Sequence, residues 1–136
     1  MPTIYKAFLN GRNEVPPVQT AATGDAIFEL NSSGTQLRFA LIIRNISRAT
    51  QGYIHVGLTG RGGPVAIFLF GPNKFGISVR RGVIRGTLTN QDLVGPLQGK
   101  TLRDLITEFE DGNAYVNVHT ARNPEGEVRG QVKPSS

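Results

Sequence analysis

Apolar residues along this chain recur mainly at every second position, in short runs broken by Gly, Pro, Asn and Ser. A period of two sends alternate side chains to opposite faces of a strand, so the pattern predicts a β-rich chain. A first strand is expected over residues 3–10, with Tyr5, Ala7 and Leu9 opposite Ile4, Lys6 and Phe8. Residues 11–23 read as an irregular loop, because Pro16-Pro17 removes two backbone donors. Glu14, in that loop, is placed to hold an arginine or a backbone amide. A second strand over 24–31 sets Ala26, Phe28 and Leu30 against Asp25, Ile27 and Glu29. Asn31-Ser32-Ser33-Gly34 is turn chemistry, and a third strand over 35–45 turns Leu37, Phe39, Leu41 and Ile43 inward, which makes a hairpin.

Residues 46–50 are expected to bridge to a fourth strand around Tyr53, where Ile54, Val56 and Leu58 share one side and Tyr53 and His55 the other. The run at 65–70 is almost wholly apolar and is expected to be buried on both faces or against a helix. A sixth strand over 76–89 is expected to bend or approach another chain segment closely at Gly82 or Gly86. Only one segment has helical spacing. Leu102, Leu105, Ile106 and Phe109 fall on one stripe, Thr101 is the N-cap, Asp104 lies in the first turn and Gly112 stops the helix. Residues 112–131 then form a closing hairpin around Asn123-Pro124-Glu125-Gly126, and 133–136 read as a loose tail. About eight strands with regular turn signals indicate an all-β, antiparallel Greek-key sandwich or barrel, its single short helix acting as a lid. Residues 1–134 are read as one domain.

Composition narrows the chemistry. There is no cysteine in the 136 residues, so disulfides and thiolate metal sites are excluded. No apolar run approaches the length of a membrane-spanning helix. Residues 1–6 lack the basic and apolar regions of a signal peptide; a signal removed beforehand would leave the same sequence, so the compartment stays open. The charge of +5, carried mostly by arginine, suits polyanions. Arg80, Arg81 and Arg85 form the tightest cluster. The remaining arginines are dispersed, with no basic run and no stacking aromatics, which argues against nucleic acid.

Gly60-Arg61-Gly62-Gly63 lacks the Lys-Ser or Lys-Thr and the helix of a phosphate-binding loop, so it reads as a turn. The densest polar chemistry lies on the non-aliphatic faces of two strands, where Tyr53 and His55 join Tyr115, Asn117 and His119. Arg129, from the returning strand, falls beside Asn117 and His119. These six residues are the candidate ligand or partner surface, expected as a polar patch or shallow pocket. A nucleophilic triad finds neither cysteine nor an elbow serine, so catalysis is not expected.

Three blocks, FLNGRNEVPPVQTAATGDAIFEL, GYIHVGLTGRGGPV and YVNVHTARNPEGEVRGQ, resemble the CHRD (chordin) domain family across nearly the whole chain. Domains of that kind occur as repeats in chordin, an extracellular antagonist that binds bone morphogenetic proteins, and as single-domain bacterial proteins. The resemblance implies a non-enzymatic binding or structural protein that acts through a protein partner or by self-association. The family commonly shows His-Ile-His where this chain has Tyr53-Ile54-His55. The alternative reading is copper or zinc held by His55 and His119, with no other cofactor implied.

Overall fold

A computed structural model describes residues 4–135; Thr3, read above as the first strand residue, and Met1, Pro2 and Ser136 lie outside them. Eight strands form one antiparallel sheet that closes on itself. Strand β1 (Ile4–Asn10) pairs along its length with β2 (Thr23–Leu30), which forms the expected hairpin with β3 (Leu37–Val56). The turn is held by Gly34 N–H donating to Asn31 O, with Asn31 Oδ1 accepting from the amides of Thr35 and Gln36. Strand β3 is flanked on its far edge by β4 (Val65–Phe70) and β5 (Ile77–Leu88). The hairpin of β6 (Ala114–Thr120) and β7 (Val128–Gln131) returns to lie between β3 and β1, and a single Asn10–Arg129 rung closes the ring.

The third and fourth strands expected from sequence are one strand. Its first half pairs with β2 and β5, its second with β6 and β4. The bridge between the halves contains Asn45 and Arg48, both with positive φ (53° and 55°). That left-handed backbone turns β3 from one wall of the barrel into the next. Burial parity switches there, from Leu37, Phe39, Leu41 and Ile43 before the bend to Ile46 and Ile54 after it. His55 therefore faces outward although it shares odd numbering with the inward Leu41 and Ile43.

Other expectations change in part. β4 is not buried on both faces: it is an edge strand, paired only with β3 apart from an isolated Ile67–Leu93 bridge, and Phe68 on its outer face is exposed while Ala66, Ile67 and Leu69 are buried. Of the two expectations for β5, the close approach is found at Gly86, where a Cβ would stand 2.7 Å from the Phe39 ring, whereas the irregularity in the pairing lies in its partner β3, between Ile46 and Ala49. The expected tail is tied down: β8 (Lys133–Pro134) pairs with β1, and Ser135 N–H donates to Ile4 O.

Helix α1 (Leu102–Glu110) follows its sequence signals. Thr101 accepts from Asp104 N–H, and Asp104 reaches back to the Thr101 amide in a capping box. Phe109 packs on Tyr5 and Phe28 at ring-centroid distances of 5.3 and 5.4 Å, joining the helix to the inner faces of β1 and β2. None of the helices among the described residues is long and apolar enough to cross a membrane.

Candidate functional site

Strand register assembles the six nominated residues. Tyr53 lies opposite Asn117, His55 opposite Tyr115, and Asn117 opposite Arg129, so the six side chains share the outer face of β3, β6 and β7. They do not form an open patch. Every one is buried, with relative exposure of 9% or less, because three loops fold over the face.

The cover is made of backbone. His55 Nδ1 lies 2.9 Å from Gly63 O, and Gly63 N–H donates to the Tyr115 hydroxyl at 3.0 Å. Arg129 donates to Leu58 O (3.0 Å) and Arg61 O (2.6 Å), and Gln131 to Gly57 O (2.7 Å). Residues 57–63 are thereby clasped onto the sheet. The glycine-rich stretch is a turn, closed by Arg61 N–H donating to Leu58 O. Leu58 itself, expected on the aliphatic side with Ile54, is exposed in this loop because β3 has ended at Val56. On the other flank, His119 Nδ1 stands 2.8 Å from Pro124 O in the turn between β6 and β7, closed by Gly126 N–H donating to Asn123 O.

Within the face the rings form a stack. The Arg129 guanidinium lies 3.5 Å from the Tyr115 centroid, and His55 stacks on Tyr115 at 4.6 Å. His119 follows, parallel to His55 within 9° and 6.2 Å away, while Tyr53 meets both imidazoles edge-on. Both Nε2 atoms converge on one oxygen, Asn117 Oδ1, at 2.8 Å from His55 and 3.2 Å from His119.

Each imidazole thus has an oxygen at both nitrogens, and a neutral ring has one N–H to give. Two arrangements satisfy this geometry. In the first both rings are cations, which burial opposes: desolvation holds both histidines below the ordinary value, assisted by the Arg129 charge at His55 and by His55 at His119. In the second the Asn117 amide is turned by half a rotation, so that its NH2 donates one hydrogen to each Nε2, and each Nδ1–H donates to its loop carbonyl. The Asn117 oxygen then faces Glu14.

Glu14 is the member of the site that strand parity does not reach, because it arrives from the loop after β1. It is 6% exposed, and its Oε2 has no hydrogen-bond partner among the described residues. Asn117 and Glu14 converge on Gly126, where a Cβ would stand 2.5 Å from Glu14 Oε2 and 2.6 Å from the Asn117 amide nitrogen. Burial pushes the Glu14 carboxyl up to about 7 against the opposing pull of Arg129 and Asn117. A protonated Glu14 completes the neutral arrangement by supplying the donor that a turned Asn117 needs. A second carboxylate, Glu127, is fully engaged, accepting from Thr20, Thr120 and Asn123.

For a metal the donor set is short. Among the described residues no group of three or more His, Asp or Glu is placed to share an ion. The space between the two Nε2 atoms is filled by the Asn117 amide, so the residues do not fit the tetrahedral copper or zinc site that His55 and His119 suggested.

The chain is thus a closed antiparallel β domain whose outer polar face is sealed under its own loops. The model of the CHRD domain matches residues 5–132, and the chain belongs to the CHRD domain family. None of the curated proteins matches it.

Proposed function

We propose that this chain is a non-catalytic protein-binding domain that receives an extended acidic segment of a partner along the free edge of β5. The observation that carries this reading is the state of that strand. β5 has 12 residues and pairs only with β3, and no residue before Leu88 is fully buried. Its outer edge offers unpaired backbone donors and acceptors to another strand. Arg80, Arg81 and Arg85 on it are exposed, and the two ion pairs among the described residues, Arg38–Glu29 and Arg44–Asp25, use none of them. Phe75, 81% exposed, stands just ahead of the strand. A second copy would bring three more arginines to the same edge, so charge favours an acidic partner over self-association.

The enclosed histidine face supports the non-catalytic side of this reading. Its polar groups hold loops: His55 meets Gly63 O, His119 meets Pro124 O, and Arg129 donates to Arg61 O.

Calorimetry with a ten-residue peptide of alternating Val and Glu tests the proposal. Saturable binding is expected, weakened at least about tenfold in Arg80→Glu/Arg81→Glu/Arg85→Glu, since each exposed charge contact is worth up to about 1 kcal/mol. Equal affinity of parent and triple variant, or none in either, would overturn it. Titration with zinc or copper is expected to give no stoichiometric heat; saturable heat lost in His55→Ala would restore the metal alternative.

A further inference from the structure

A cleft of about 850 Å³ adjoins the sealed face at Arg129 and Gln131, between the outer face of β1, the loop after it, the tip of the 57–63 loop and β8. Its volume is that of a small-molecule site. Two features of its lining point to one class of ligand.

The first is a charge arrangement that folding alone does not favour. Lys6 and Lys133 are direct register partners across the β1–β8 ladder, so their side chains leave the sheet side by side. Like charges directly opposite one another destabilise a strand pair. Neither lysine has an ion-pair partner among the described residues, and neither does Arg12 on the adjoining loop. The two acids in the lining do not neutralise them: Asp25 is held by Arg44, and Glu14 is buried beside Arg129. Three uncompensated cations therefore surround the opening.

The second is apolar. Phe8, on the same outer face of β1 as Lys6, is 54% exposed, and Val15 across the cleft is 50% exposed. Both lie beside the cations. An anion alone would leave these side chains in water, and a neutral apolar molecule would leave the lysines repelling each other.

We propose that this cleft binds a small amphiphilic anion: a carboxylate, sulfonate or phosphate group seated at Lys6, Lys133 and Arg12, with an aromatic or alkyl body against Phe8 and Val15. The site is separate from the β5 edge, and the two proposals stand or fall independently.

The test compares 2-naphthoate with 2-naphthamide, which has the same body without the charge, by calorimetry and amide chemical shifts on the full chain. Saturable binding is expected with shifts centred on β1 and β8, naphthoate binding about tenfold more tightly. In Lys6→Gln/Lys133→Gln the preference for naphthoate should fall to near unity while naphthamide binding is retained. The melting temperature of that variant should equal or exceed the parent's, because the like-charge pair is gone; this separates loss of the site from loss of the fold. Vesicles of phosphatidylserine distinguish a lipid headgroup from a free ligand, and naphthoate binding is expected without any vesicle association. Equal affinity for acid and amide, no binding of either, a preference that survives the double variant, or association with vesicles alone would each overturn the proposal.

Discussion

Glu14 and the two histidines impose opposite pH dependences on the same buried face. The Glu14 carboxyl titrates near 7 in the folded chain, against 4.5 as its ordinary value. Between those values the folded state holds a proton that the unfolded state has released. The stability tied to neutral Glu14 is therefore complete below about 4.5 and is lost as pH rises through 7. His55 and His119 are held below 6.5, so their contribution is complete above that value and is lost as pH falls below it through their depressed folded values. Glu14→Gln keeps the neutral shape at every pH. It should match the parent near pH 4 and exceed its unfolding free energy at pH 8 by on the order of 2 kcal/mol in denaturant titrations. Destabilisation at pH 8 would show that the Glu14 charge is needed by Arg129. At this scale the sequence was informative where side chains alternate: Tyr53, His55, Tyr115, Asn117 and His119 share a face because each strand's parity can be read locally. Their burial was not legible. The cover consists of carbonyl groups of Leu58, Arg61, Gly63 and Pro124, and every residue type carries that group.

Among the elements, the 57–63 loop depends most on a single side chain. Arg129 is 3% exposed, bonds two loop carbonyls and covers the Tyr115 ring, a combination that needs a planar, multi-donor head. Arg129→Lys should cost about 1–3 kcal/mol. It should also raise amide exchange at Gly63 and Gly57 while the amides of β6 stay protected; uniform loss of protection would mean that Arg129 supports the barrel rather than the loop. Helix α1 and the β2–β3 turn were legible because Thr101, Asp104 and Asn31 act on neighbours within a few residues. The continuity of β3 was hidden because its bend uses left-handed backbone at Asn45 and Arg48, without the glycine that usually marks such a conformation. The short β8 was hidden for a related reason. Lys133-Pro134 has no strand pattern of its own and is ordered by β1.

Taken whole, the molecule separates a sealed face from an open edge. The β1–β2–β3 meander and the returning β6–β7 hairpin close the barrel and leave β4 and β5 outside the ring on β3, and the short β8 on β1. The polar residues that stand out in the sequence are on the sealed side, whereas the edge proposed to receive a partner is β5, whose arginines form the tightest charge cluster in the sequence. Backbone amide shifts during titration with the alternating Val-Glu peptide test that division most directly. Perturbations are expected along residues 77–88, with Tyr53, His55, Asn117 and His119 unmoved. Shifts centred on those four residues, with β5 silent, would contradict that division.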